Sequence, residues 1–218
     1  MVDFFLTYIV PASVAFPITL YLLNRKTATK PLSVLFIYLL MAAVVDIAAS
    51  VMASMGIHNL WLLHLYTVLE TVILLFFFLH IIHTRKARSL IWVLLIAFPL
   101  ASLCNALFLQ KPAVFNTYTR SIEAIIIIAV SSFYWINNSK ENQTVAWTGS
   151  PLNWIISGLL LYFASALFLF LFSNYVTLLR RAKPSDPVYD IIWVSHGMLV
   201  ILMYLFFGIG FKKSKHAG

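Results

Sequence analysis

The sequence predicts an all-α polytopic membrane protein, a seven-transmembrane-helix bundle with its N-terminus outside and its C-terminus inside. Three observations carry that prediction. Of the 218 residues, 62% are hydrophobic and only 10% charged, with a mean hydropathy of +0.93. Soluble domains are about 25% charged and about 45–50% apolar, so no soluble domain of useful size fits this composition. Seven apolar runs approach the length of about 20 residues that a helix rising about 1.5 Å per residue needs to cross about 30 Å of hydrocarbon. The basic residues stand in short clusters between those runs, where they determine topology.

The runs fall at 4–23, 31–54, 60–82, 90–109, 119–137, 151–175 and 188–211. The first follows a start, MVDFFLTYIV, that lacks the basic region of a cleavable signal peptide, and so reads as a retained helix. NRKTATKP separates the first two runs, HTRKARS closes the third, and LQKPAVFNTYT divides the fourth from the fifth. RRAKPSDP, before the last run, carries two prolines that stop a helix. The chain therefore reads as one transmembrane domain over 1–218, without linker or low-complexity tract. It shows no internal repeat that would support an inverted-repeat transporter.

Orientation follows from the distribution of Lys and Arg. With the N-terminus outside, the inner side receives Arg25, Lys26, Lys30, Arg85, Lys86, Arg88, Lys140, Lys212, Lys213 and Lys215. The outer side receives Lys111, Arg120, Arg180, Arg181 and Lys183, half as many. The RRAK cluster on that side reads as an interfacial group for lipid phosphates. The net charge of +8 thus belongs to topology, and no nucleic-acid partner is expected. The expected location is the cell (inner) membrane, crossed several times.

Within the runs, charged and polar side chains are costly, about 2.5–3.5 kcal/mol for an Asp at a helix centre on insertion scales. Glu70 lies about ten residues into its run, or about 15 Å deep, near the midplane. Asp46, His64, Asn105, Arg120, Glu123, Asn174, Asp190 and His196 all fall in the outer half, whereas the inner half is largely Leu, Ile, Phe and Val. Such groups face the bundle interior and pair with one another. Tyr66 and Glu70, four apart, share a helix face; His64, six residues from Glu70, is about 120° away and cannot chelate with it. Arg120 and Glu123, three apart, can pair within one helix. The expected lining of a polar cavity is Tyr66, Glu70, Asn105, Arg120, Glu123 and His196, with His64 and Asp46 nearby. Five of them have a purely structural reading too: an ion pair at the membrane edge for Arg120 and Glu123, a carboxyl hydrogen-bonded across helices for Glu70, a core histidine for His196, and a simple acceptor for Asp46.

Missing motifs narrow the chemistry. No lysine occurs between Val188 and Phe211, which excludes a retinal Schiff base on the last helix. No HxxxH or HExxH pair and no Gly-rich phosphate loop is present, so no metal or other cofactor is expected. Ser102, Ser157 and Ser165 lack the context of an activated nucleophile. Gly158, Ser165 and Ala166 read as small residues for close helix packing. The single cysteine, Cys104, excludes intramolecular disulfides.

The stretches NLWLLHLYTVLE, FNTYTRSIEAIII, PLNWIISGLLLYFASALFLFLFSN and WVSHGMLVILMY resemble a family of small bacterial seven-helix membrane proteins, some encoded beside sensor histidine kinases. The positions matching that pattern are Asn59, His64, Tyr66, Glu70, Asn116, Arg120, Glu123, Tyr162, Asn174 and His196. The resemblance implies a seven-helix bundle and nominates largely the same polar set, with no settled activity. The expected function is a membrane-embedded sensory or ligand-binding module. It would have an outward-facing polar cavity, a small-molecule or lipid ligand, and a signalling partner protein, because the inner loops are too short to signal alone. The alternatives are a lipid-acting membrane enzyme with Glu70, Glu123 or His196 as acid–base groups, and a small transporter using Glu70.

Overall fold

The computed structural model describes residues 2–141, 147–182 and 187–214. Lys183 and Lys215 of the charge distribution, with the side chains of Lys140, Arg180 and Arg181, lie outside the described residues. Every described element is helical, and seven helices are long and apolar enough to cross a membrane: α1 (Val2–Thr27), α2 (Lys30–Ser54), α3 (Leu60–Ile81), α4 (Arg85–Leu109), α5 (Thr117–Glu141), α6 (Pro151–Ala182) and α7 (Pro187–Lys213). The helices overrun the apolar runs at several ends. α4 takes in the basic cluster from Arg85, and α6 reaches 32 residues. Hydropathy ends a run at the first polar residues, but the i→i−4 hydrogen-bond ladder continues through charged side chains that reach the interface.

Local signals set the ends. Gly56 takes φ +68° after α2. There the amide of Ile57 donates to Met52 O at 2.9 Å and that of Gly56 to Ala53 O at 3.1 Å. This αL closure is open to glycine because it has no Cβ to clash. Pro31 and Pro187 stand in the first turns of α2 and α7, where a missing N–H has no helical partner to lose. Arg88 at the start of α4 donates back to the carbonyls of Leu79 and Ile82, capping α3 and closing the tight connection over 82–84.

Six helices form a closed ring in the order α1, α2, α3, α5, α6, α7, with α1 packed back on α7; α4 stands outside and packs chiefly on α3. Its outward face is a stripe of Leu90, Val93, Ile96, Leu100, Leu103 and Leu107, and it buries only Ile91, Phe98 and Ser102 before its π-helical end, Asn105–Leu109. Pro99 lies within this helix and cannot donate to Leu95 O, so the ladder is already broken there. An apolar stripe of that length would be strongly unfavourable in water and is at home in hydrocarbon. The ring interior is packed with Leu35, Leu39, Leu74, Phe77, Phe78, Ile155, Phe163, Phe207 and Phe211. These positions fill the half of the ring nearer the Lys213 end of α7; the polar side chains occupy the other half.

Close approach of α6 and α7 depends on glycine. A Cβ on Gly210 would sit 2.9 Å from Pro151 O and 2.7 Å from the Ile155 side chain, and one on Gly158 2.8 Å from Phe206 Cβ. Of the small residues expected to pack, Gly158 and Ala166 face α7 or the core, while Ser165 is exposed. Gly210→Ala should lower stability in detergent by about 1–3 kcal/mol, since a backbone carbonyl cannot move aside as a side-chain end can. An unchanged melting temperature would show that α6 and α7 are not seated this closely.

Candidate functional site

The polar half of the ring is organised around Arg120, which enters from the first turns of α5. Its backbone amide donates to Asn116 O at 2.9 Å, and its side chain runs into the ring interior, with 9% of it exposed. Nη1 donates to Glu70 Oε2 on α3 and, at 2.6 Å, to Glu123 Oε2 one turn further along α5; Nη2 donates to Tyr162 Oη on α6 at 3.3 Å. The guanidinium lies 4.6 Å from the ring centroid of Phe170 and 5.4 Å from that of Tyr66, within cation–π range.

The two carboxylates, each fully buried, are satisfied on their other oxygens. Glu70 Oε1 accepts from Tyr38 Oη at 2.9 Å and from Tyr66 Oη at 3.1 Å, while Glu123 Oε1 accepts from Thr71 Oγ1 at 2.8 Å. All four carboxylate oxygens are thus engaged, and four helices (α2, α3, α5 and α6) are tied to one cation. A buried charge is tolerated only when it is both paired and hydrogen-bonded, and this cluster meets both conditions.

A second network holds the 110–116 connection onto the ring. Asn116 Nδ2 donates to Thr67 Oγ1 at 2.8 Å, Gln110 Nε2 to Thr117 Oγ1 at 2.8 Å, and Asn105 Nδ2 to Gln110 Oε1 at 3.2 Å. Asn174 of α6 donates to Phe115 O at 3.1 Å and also reaches Thr117 Oγ1. His64 Nε2 meets Val114 O at 3.0 Å.

Between α1, α2, α3 and α7 lies a cavity of about 370 Å³, with Arg120 and Tyr162 on its floor. Its walls include Asp46, Asn59, Tyr66, Trp193, His196 and Tyr204, along with apolar groups such as Leu6 and Val10. Two buried ring atoms in these walls have no hydrogen-bond partner: Trp193 Nε1 and His196 Nδ1. The two rings meet edge to face at 5.9 Å, and the imidazole is further held against Tyr162 and Phe170, at 5.6 and 5.8 Å. Their orientation is therefore set by packing and leaves the nitrogens unspent.

Of the eight residues the sequence nominates, the fold brings six into this half of the ring interior. Tyr66, Arg120, His196 and Asp46 line the cavity. Glu70 and Glu123 lie behind the guanidinium, bonded to it and shielded by it. Asn105 is not part of the lining and does not reach Glu70, because it sits on α4, the helix left outside the ring; it belongs to the Gln110 network. His64 does not face the cavity either: its direction around α3 turns it to the 110–116 connection. Tyr38, Thr71, Trp193 and Tyr204 bond the cluster or line the cavity, and the membrane-cost argument passed over them. Tyrosine, threonine and tryptophan cross a bilayer cheaply, so expense does not flag them. Among the described residues, no group of three or more His, Cys, Asp or Glu converges as a metal site.

Comparison of the chain with protein-family models, with curated proteins and with solved structures finds no match.

Arg120→Met strands two buried carboxylates and should cost about 3–5 kcal/mol of stability in detergent. Adding Glu70→Gln and Glu123→Gln should restore part of that loss, since no unpaired charge then remains. Thermal or SDS unfolding of the single, double and triple variants checks this; strictly additive losses would show that the three side chains are not coupled.

Proposed function

We propose that the chain is a membrane-embedded sensory or ligand-binding module, lying N-terminus outside with its polar cavity open to the outer side, and acting through a partner protein. The observation that carries this reading is the pair of unpartnered ring nitrogens, Trp193 Nε1 and His196 Nδ1, in the wall of a cavity of about 370 Å³. Buried polar atoms are almost always hydrogen-bonded, and each one left open in a native fold calls for a reason. A ligand that accepts from the indole and bonds the imidazole supplies one. The cavity falls within the range of small-molecule sites, about 300–1,000 Å³, and its largely apolar wall with a few convergent polar groups fits a small, mostly apolar ligand with one or two hydrogen-bonding groups.

The same geometry weighs against the alternatives. For an enzyme, Glu70 and Glu123 are poorly placed as acid–base groups, since both lie behind Arg120, outside the cavity lining and with every oxygen hydrogen-bonded. His196, with Nδ1 unpartnered in the wall, is the acid–base group that reading retains. A transport path would have to continue past the cluster, where Leu39, Leu74, Phe77, Phe78 and Phe207 fill the ring. A bound ligand acts instead through contacts: His196 is on α7, Tyr66 on α3 and Tyr162 on α6, so an occupant bears on three helices at once, two of them tied to the ion cluster. The short connections at the opposite end make a partner the natural recipient of such a shift.

Protein purified without added ligand should release a small molecule on denaturing extraction, detected by mass spectrometry. His196→Phe and Trp193→Phe should each reduce its recovery at least about tenfold, the weight of one lost hydrogen bond to a buried group, with little change in melting temperature. Equal recovery from both variants would sink the assignment of this cavity. Reporter fusions at residues 27, 87 and 217 should all read cytoplasmic, and an external signal at 87 would reverse the orientation.

A further inference from the structure

A second cavity, of about 680 Å³, opens between α4 and α5 at the end of the bundle opposite the polar site. It arises from how α4 is placed. At one end α4 is held to α5 through Gln110, whose amide nitrogen reaches Thr117 Oγ1 and whose carbonyl oxygen accepts from the Tyr118 amide at 3.1 Å. Toward its Arg85 end α4 packs on α3, and the cleft separates it from α5. The lining is apolar along the length of the cleft, with Leu90 and Ile91 from α4 and Ala129, Val130 and Phe133 from α5. The mouth is polar and basic, with Arg85 and Lys86 on one side and Asn137 on the other.

Three features of that mouth point to one kind of occupant. Arg85 and Lys86 occupy the first turn of α4, the positive end of the helix dipole, where cations are disfavoured and an anion is favoured. Both are exposed and neither forms an ion pair with a described residue, whereas Arg88, one turn on, is spent on the carbonyls of Leu79 and Ile82. Asn137 Nδ2 is buried at the cleft and has no hydrogen-bond partner. An anionic group for two cations, an acceptor just below it for an amide, and an apolar chain below that is the order of groups along a phospholipid: phosphate, glycerol ester carbonyl, acyl chain.

We infer that the α4–α5 cleft is a binding site for an anionic phospholipid, with its phosphate on Arg85 and Lys86, an ester carbonyl accepting from Asn137, and one acyl chain between the two helices. The site is separate from the Arg120 cavity, shares no residue with it, and stands or falls independently of the ligand proposed there. A phospholipid in the cleft completes the contact that α4 lacks with α5, and so couples the outlying helix to the ring.

Native mass spectrometry of the full-length chain in nonionic detergent, offered equal amounts of phosphatidylglycerol and phosphatidylcholine with identical acyl chains, tests this. Retained phosphatidylglycerol should exceed phosphatidylcholine by about tenfold or more, given the contribution expected from two basic residues near a lipid phosphate. The double variant Arg85→Gln/Lys86→Gln should erase that preference. Ala129→Leu, which fills the cleft from an exposed position and leaves the charges in place, should lower retention of both lipids; if its melting temperature falls, Ala87→Leu on the facing wall repeats the test. Excess glycerol phosphate should not displace the lipid. Equal retention of the two lipids, phosphatidylglycerol binding untouched by both cleft-filling changes, or displacement by glycerol phosphate would each overturn the site.

Discussion

Everything in the polar half of this bundle depends on one buried guanidinium. Two carboxylates at the centre of an apolar ring have no solvent to turn to, and the low dielectric that makes them costly alone makes them strong partners for a cation. Arg120 is suited to the task because its planar fork offers several N–H donors, two of its nitrogens here serving Glu70, Glu123 and Tyr162, while its faces rest on Phe170 and Tyr66. A lysine would present a compact, more strongly hydrated charge without that geometry. The hydroxyls of Tyr38, Tyr66 and Thr71 then finish the carboxylates. Four helices converge on one point, and their spacing there is fixed by hydrogen-bond lengths instead of by the softer fit of side chains.

That fixed point divides the ring into two unlike parts. On one side, Leu, Ile and Phe close-pack into a core with glycine-mediated contacts between α6 and α7. On the other, the cluster forms the floor, and the walls above it come from α1, α2, α3 and α7, with Asn59 Nδ2 donating to Ala49 O at 2.9 Å across the α2–α3 side. The cavity is the consequence: α1, α2 and α7 cannot close over a floor whose height is set by the ion cluster, and the space between them is lined by whatever those segments present. Polar groups held in place by their mutual bonds lose little freedom on contact, the property on which the proposed ligand site draws.

The position of α4 has a comparable logic. A ring of six helices is already closed without it, so α4 is carried on the outside by α3, by the Gln110 network and by Arg88. Its outward stripe is apolar and exposed, and its link to α5 runs through Gln110. The two cavities thus have different origins, one inside the ring where polar bonding holds helices apart, the other outside it where a helix is left partly unpacked. Basic residues line the mouth of the second, and unpartnered ring nitrogens stand in the wall of the first.

The sequence by itself determined the class of the protein. Apolar runs of spanning length with basic clusters between them allow only a helical bundle, because backbone groups in hydrocarbon must bond within their own segment. It also determined that Glu70, Arg120 and Glu123 would turn inward, since their exposure to lipid is too costly, and the i, i+3 spacing placed Arg120 beside Glu123. What it left open was which helices would be neighbours. Only the tertiary structure decided that α4 stays outside the ring, and with that decision Asn105 left the cavity and Gln110 took its place as a partner. Only the tertiary structure brought Tyr38 to Glu70 and Trp193 to His196, across distances in the chain that no periodicity encodes. The reason is physical: the cost of burying a charge is a property of one residue and can be read from its position, whereas the partner that offsets the cost is a property of packing, and packing is settled between helices.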